Sequence, residues 1–454
     1  MHSSSAKIKQ PKIGVRGTLV YLTGDPFFEA SEKCLQYIED GMLVVEDGKI
    51  IQCGSASEIM KLIEATMPIH HYPTGIILPG FIDTHIHYVQ TDIIGSYGKQ
   101  LLDWLEQYTF PAEQEFSSYE HCKKVAKRFM DEMLKSGTTT ALVFCAVYPQ
   151  SVDALFEEAQ SRNVRLIAGK VLMDRNAPKA LQDTAQSGYD DSKKLIEKWH
   201  NKGRLQYAIT PRFAPTSTPE QLTAAGQLWK EHPTTYVQSH IAENAREIIW
   251  AKELFPERKG YLDIYDHYGL IGKRAVYAHG IHLTEDEFQC CHDTETSLAH
   301  CPSSNLFLGS GLFNISDAKK SNRPVEVGIG SDIGAGTSFS LLANLNEAYK
   351  VAQLRDVSLD ALKLLYLATL GGARALSLED KIGTLEVGKE ADFVVLNKHA
   401  TPLLKERMNR VASIEEALFV LTILGNEETV DATYVAGVPV YEKKKMLNDK
   451  RRVD

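Results

Sequence analysis

No apolar run in this 454-residue chain approaches the roughly 18 residues that a membrane-spanning helix requires; the longest candidate, Ala417 to Leu424, is far too short. No membrane partner is expected. Met1 to Lys9 is short and polar and leads into no apolar segment, so a secretory signal is not supported. Cysteine is scarce: there are seven, an odd number, with Cys290 and Cys291 adjacent. Such a set makes no disulfide framework, and a reducing, cytoplasmic location is expected. Positive charge is not in excess either. Fifty Lys and Arg stand against 59 Asp and Glu, a net charge of −9, which disfavours nucleic acid as a partner because that affinity comes from neutralising many phosphates. A phosphate-cradling glycine fingerprint is also missing.

What is present is an ordinary globular mix, 43% hydrophobic and 24% charged. At about 150 residues per domain the length allows two or three domains, or one large α/β barrel with a satellite. From Leu78 onward a pattern recurs: a short apolar run ends in polar, often reactive, side chains, and a helix-like segment follows. Eight such runs are read: Ile76 to His87, Thr138 to Cys145, Arg165 to Asp174, Leu205 to Ala214, Thr235 to Glu243, Ala275 to Leu283, Ser297 to Asn305 and Glu326 to Gly334. Between them lie amphipathic stretches such as Glu120 to Lys135 and Ser338 to Gln353, with apolar residues three and four apart. Strand alternating with helix eight times predicts an α/β fold, a (β/α)8 barrel over 76–380. The flanks, Val15 to Gly24, Leu43 to Gly54, Ile382 to Leu396 and Thr433 to Tyr441, are short β-type segments with turn dipeptides at Asp47-Gly48 and Ala436-Gly437. They predict a small discontinuous β-sandwich domain from residues 1–75 plus 381–454. The basic run Lys443 to Arg452 reads as a solvated tail.

The chemistry concentrates at the ends of the predicted strands. His85 and His87 close the first (ILPGFIDTHIH), and residues two apart on a strand share a face, so both imidazoles can reach one point at the catalytic end of a barrel. His240 ends the fifth run, His279 the sixth and Asp332 the eighth. Any one of these has an ordinary reading as a hydrogen-bonded core histidine or a helix cap; five at one end of one barrel point to a metal. Imidazoles with one carboxylate suit zinc, with iron or manganese also compatible by ligand type. Glu243, three residues beyond His240, could exchange protons between water and substrate, or it could be a first-turn helix Glu favoured by the dipole.

Pro79 to His87 (PGFIDTHIH), His240-Ile241-Ala242-Glu243, the His279 strand end and Ser331-Asp332 resemble the amidohydrolase superfamily, in its branch of metal-dependent aminohydrolases. Gln90, Leu101 to Glu113, Thr210 to Phe213, Ala299 to Asn305 and Leu370 to Gly372 are similar to its guanine-deaminating members. The resemblance covers nearly the whole chain. It implies hydrolysis of the guanine 2-amino group to give xanthine and ammonia, in purine catabolism or salvage. Metal ligands would be His85, His87, His240 and Asp332, and hydroxide held at the metal would attack C2. Glu243 would shuttle the proton, His279 would orient the nucleophile or stabilise developing charge, and Gln90, Arg212 and Phe213 would bind the purine. Relatives of this kind imply a homodimer.

The residues bear on that implication independently. Arg212 is a fixed fork suited to O6 and N7 acceptors, with a structural salt bridge as its ordinary alternative. Phe213 alone reads as core more readily than as a stacking platform. The His-x-Glu and Pro-Cys-x-x-Cys patterns of the other zinc deaminase fold are missing. The fourth run offers no lysine where binuclear relatives place a bridging one, so one zinc per subunit is expected, with Lys170 structural or near the rim. Leu101 to Phe110 reads as a helix ended by Phe110-Pro111, a packed barrel helix or a lid. Another amino-heterocycle (a pterin, a triazine or adenine) is the nearest alternative substrate. A non-catalytic scaffold would be expected to have lost these residues.

Overall fold

The structure, a computed structural model, describes residues 12–98 and 100–443; beyond Lys443 the basic C-terminal run lies outside the described residues. The chain opens with β1 (Ile13–Leu22), β2 (Leu35–Glu46), β3 (Lys49–Ser55) and β4 (Ile69–Pro79). Asp47 and Gly48 join β2 to β3 with φ of 47° and 77°, the left-handed pair that a two-residue hairpin turn demands. Next come the barrel strands β5 (Phe81–His87), β6 (Thr138–Phe144), β7 (Arg165–Gly169), β8 (Val171–Leu172), β9 (Leu205–Pro211), β10 (Tyr236–Ile241), β11 (Ala275–His279), β12 (Ser297–His300) and β13 (Val327–Ile329). Finally β14 (Phe393–Asn397), β15 (Val430–Val435) and β16 (Val438–Glu442) return to the first sheet.

The two ends of the chain form one continuous mixed sheet of seven strands in the order β16-β15-β14-β4-β1-β2-β3. The strands expected to meet do so, and a single hydrogen-bonded sheet carries them: β14 pairs antiparallel with β4 from Phe393↔Pro79 to Asn397↔Gly75. One of its faces packs a core that includes Val15, Leu19, Leu43, Ile77, Phe393, Val395 and Tyr434. The apolar run read as one strand, Ile76 to His87, is divided. Its first part finishes β4, the chain turns at Pro79-Gly80, and β5 begins the barrel. A run that is apolar throughout carries no mark of where it changes sheets, except the Pro-Gly dipeptide itself.

The barrel strands run parallel in the order β5-β6-β7-β9-β10-β11-β12-β13, with β8 beside β9. Between β13 and β5 the ring is closed by single bonds. Asp332 N–H donates to His85 O at 2.9 Å, and Thr84 Oγ1 donates to Ile329 O at 2.9 Å. The buried Asp83 staples the same seam, its Oδ1 accepting from Ser331 N–H and His85 N–H, each at 3.1 Å, while Oδ2 accepts from the Ser331 hydroxyl. Inside the barrel Ile82, Leu142, Ile167, Ala208, Tyr236, Val276 and Ala299 pack as one layer. Ile86 and Val143 instead join the core shared with the surrounding helices.

This layer determines where the histidines point. On β5, Ile82 faces inward, so strict alternation would send His85 outward. A bulge intervenes: Asp83 pairs with Ala141 and Ile86 with Val143, three residues of β5 spanning two of β6. The extra residue reverses the phase, and His85 and His87 both turn to the interior. Against this part of β5 lie Gly328 of β13 and Gly330 just after it. A Cβ on Gly330 would lie 2.9 Å from both His85 Cβ and Cys301 Sγ, and one on Gly328 would lie 2.3 Å from Thr84. Only glycine leaves room there.

Candidate active site

His85, His87, His240 and Asp332 converge, with one donor atom from each lying within 4.8 Å of the others. His87 Nε2 is 3.1 Å from His240 Nε2, and Asp332 Oδ1 is 3.2 Å from His85 Nε2 and 3.4 Å from His87 Nε2. Four donors around a tetrahedral ion at metal–nitrogen distances of about 2.0–2.1 Å are separated by about 3.3 Å, so the separations are those of donors that share one ion. The hydrogen bonds agree. His240 Nδ1 lies 2.7 Å from Arg212 O and donates to it, which leaves Nε2 with its lone pair. His85 Nε2 is buried with no hydrogen-bond partner. Burial pushes His85, His87 and His240 below the ordinary histidine value, His87 and His240 well below, which favours the neutral imidazole that a metal requires. Burial alone would raise the Asp332 carboxyl, but His85, then His279 and His87, hold it well below the usual range.

The structure brings the other two chemically active candidates to the same place. His279 Nε2 is 3.4 Å from Glu243 Oε2 and 3.8 Å from Asp332 Oδ2. Its Nδ1 is 2.8 Å from Asn305 Oδ1, to which it donates, so the ring is fixed with Nε2 toward the acids. Burial would lower its pKa, yet Glu243 and Asp332 outweigh burial and raise it. Glu243 is 3% exposed. Burial pushes its carboxyl up to about 7, against the pull of His279, and Ser310 Oγ donates to Oε1 at 3.1 Å. An acid tuned to neutrality can both take and give a proton near physiological pH. Glu243 is not a first-turn helix residue: the helix Ala245–Leu254 begins after its cap, Asn244. Glu247 accepts from the backbone N–H of both Glu243 and Asn244, at 2.9 and 3.1 Å, and holds the turn. Ala242, His279 and Asp332 have φ of 48°, 73° and 49°. Three non-glycine residues in the left-handed region at one site store roughly 1–3 kcal/mol each.

Gln90, Arg212 and Phe213 share a cavity with His87, His240, Glu243, His279 and Asp332. Arg212 has the ion pair that the sequence left as its alternative, and it lines the cavity as well: Nη1 lies 2.9 Å from each oxygen of Glu113. Phe213 meets Trp250 edge-on at 6.0 Å. Leu101, Trp104 and Leu105 complete the wall. Here the expectation of a helix ended at Phe110-Pro111 is corrected. Leu101–Trp104 widens into a π-turn, Leu105–Thr109, and continues as the helix Phe110–Gln114. Phe110 N–H reaches back five residues to Leu105 O, and the wider turn accommodates a proline that an α-turn would reject. Lys170 is elsewhere, buried and paired with Asp183 at 2.6 Å.

Sequence reasoning passed over several contributors. Asn305 closed the seventh run without being singled out, and Glu113 lay in a segment noted only for resemblance. Ser310 carried no local signal, and Asp83 lay inside the quoted Pro79 to His87 motif without being assigned a role. Glu247 did: Asn244-x-x-Glu247 is a capping box.

A parallel barrel with three histidines and an aspartate converging at its strand ends could hold a metal ion, and a family model described as "Amidohydrolase family" matches residues 76–440. The chain belongs to that family. Within it the chain is similar to guanine deaminases: the one from Escherichia coli (strain K12) is 50% identical over 432 residues, 94% of this chain and 98% of that protein. The solved E. coli guanine deaminase superposes with a TM-score of 0.93 at 49% identity, covering 95% of this chain and all of that one. The guanine deaminase from C. acetobutylicum, solved with bound guanine in the active site, gives a TM-score of 0.85 at 28% identity, covering 95% of this chain and 100% of that one.

Proposed function

We propose that the protein deaminates guanine hydrolytically, giving xanthine and ammonia in purine catabolism or salvage, with one zinc ion per subunit held by His85, His87, His240 and Asp332. The observation that carries this reading is a single cavity lined by three of those donors, His87, His240 and Asp332, together with Glu243 and His279 and with Arg212, Gln90 and Phe213. A divalent cation at those four ligands would supply the activation that brings the pKa of a water toward neutrality.

The chain's own residues do the rest. Glu243 takes a proton from the water and delivers it to a ring nitrogen of the base as oxygen adds to C2. The C2–N2 bond then breaks as the remaining proton of the added oxygen passes through Glu243 to the departing nitrogen, leaving the C2 carbonyl of xanthine and ammonia. His279, fixed by Asn305 and raised in pKa by its acidic neighbours, holds positive charge where negative charge develops. Arg212 and Gln90 pair with the purine's polar edge, and Phe213 packs on its ring. Guanine is neutral and rich in donors and acceptors, and a site that pairs those groups rejects analogues that leave them unpaired. Three imidazole nitrogens and one carboxylate oxygen favour zinc. The reading extends to a cytoplasmic homodimer: seven free thiols suit a reducing compartment, and the dimer rests on the resemblance.

The test is to incubate the metal-replete protein with guanine, adenine, cytosine and a pterin, following ammonia and product absorbance. Xanthine from guanine, in preference to products from the others, is expected. No xanthine would refute the substrate, and faster release of ammonia from adenine or the pterin would transfer the reading to that heterocycle.

A further inference from the structure

Glu113 belongs to no barrel strand, and neither the metal-ligating set nor the Glu243–His279 pair uses it. It lies in the helix Phe110–Gln114 and is 0% exposed. Two residues from distant parts of the chain meet it: Arg212, just after β9, and Gln90, in the turn after β5. Arg212 Nη1 donates to both its oxygens at 2.9 Å, and Gln90 Nε2 donates to Oε1 at 3.2 Å. The Arg212–Glu113 pair is enclosed, with side chains 3% and 0% exposed.

Two consequences follow from charge and valence. A buried guanidinium without a counter-charge would attract anions strongly, because low-dielectric surroundings leave it unscreened. Paired with Glu113, it offers N–H donors and no net charge. The second concerns Gln90. A carboxylate only accepts, so the Gln90 amide must turn its NH₂ toward Glu113, which frees its Oε1 to serve as an acceptor. Arg212 and Gln90 both line the cavity. Together they make a wall with donors beside an acceptor and no formal charge.

We propose that Glu113 is a specificity-determining residue: by cancelling Arg212 and orienting Gln90 it makes this end of the cavity select neutral heterocycles and disfavour anionic purines, the xanthine anion among them. The identity of the preferred base rests on the function proposed above; the sign of charge selected does not. One consequence is that a product which ionises more readily than the substrate leaves the site more easily.

The experiment uses the full-length, metal-replete protein and two unreactive probes at mildly alkaline pH, xanthine (largely an anion) and hypoxanthine (largely neutral), with dissociation constants from calorimetry. In Glu113→Gln the preference for hypoxanthine over xanthine should shift toward xanthine by about tenfold or more, and guanine turnover should lose efficiency chiefly through KM. A purely structural role would weaken both probes alike, so an unchanged ratio in the folded variant overturns the proposal. Should the single variant fail to fold, Glu113→Gln/Arg212→Gln leaves no buried charge unpaired. It should bind both probes more weakly and keep the parent's preference for the neutral one; a shift toward xanthine there would refute the role of the arginine's charge. If the parent turns over no guanine, the proposed function fails while the probe ratio still reads Glu113.

Discussion

Replacing Glu243 by Gln should make the metal-free protein more stable above neutrality and the metal-loaded enzyme much slower. The side chain is 3% exposed, and burial raises its pKa from an ordinary 4.5 to about 7. Between those values the folded protein holds a proton that the unfolded chain has released, so folding stability declines as pH rises. The contribution is full below about 4.5 and gone once pH passes about 7. At about 1.36 kcal/mol per unit this amounts to roughly 3 kcal/mol, with the attraction of the ionised carboxylate to His279 at 3.4 Å already counted in the raised value. Glutamine has the same shape, can still accept from Ser310 and does not titrate. In urea melts of chelator-treated protein the variant should therefore exceed the parent by about 1–3 kcal/mol at about pH 8 and by little at about pH 5. With metal restored, xanthine formation should fall by about 10²- to 10⁴-fold. A variant that gains no stability between the two pH values would refute the buried-acid account. Turnover within about threefold of the parent would refute the proton-transfer role.

Three further outcomes are expected. His240→Ala removes one of four donors and should leave the dialysed protein nearly free of metal by atomic absorption; full occupancy would show that the donor set is wrongly drawn. Asp83→Ala strands Ser331 N–H, Ser331 Oγ and His85 N–H, at about 1–3 kcal/mol each. Its urea midpoint should drop by an amount equivalent to at least about 3 kcal/mol, and a change under about 1 kcal/mol would mean the seam does not depend on it. Trp104→Ala opens the cavity wall and should lower kcat/KM for guanine; unchanged substrate affinity and turnover would rule out a lid.

The barrel was legible because its strands are buried on both faces and its helices are amphipathic, two patterns that local sequence writes plainly. Strand ends located His240, His279 and Asp332 for the same reason. The pairing of His85 with His87 followed from a period of two, but their inward direction did not: the bulge near Asp83 reverses the phase, and a bulge is a relation between two strands. Glu113 was hidden for a related reason. Its partners Gln90 and Arg212 are 23 and 99 residues away, and nothing local distinguishes it from Glu115, whose side chain is 67% exposed. The π-turn before Pro111 was misread because the rule that proline ends a helix assumes an α-turn before it. Motif resemblance reached further than periodicity, since it imports spatial proximity that pattern alone cannot supply.

The seam between β13 and β5 also has a consequence in time. Asp83 and Ser331 are 248 residues apart, and the bond from Asp332 N–H to His85 O spans almost the same separation. Contacts so distant in sequence close late, after the loop entropy between them has been overcome by packing elsewhere. A chain emerging from the ribosome thus displays His85, His87 and His240, three of the four proposed metal donors, long before the Asp332 carboxylate arrives. On that proposal tight cation binding would belong to the finished ring, so during synthesis an ion would report that the barrel has closed and would not help to start it.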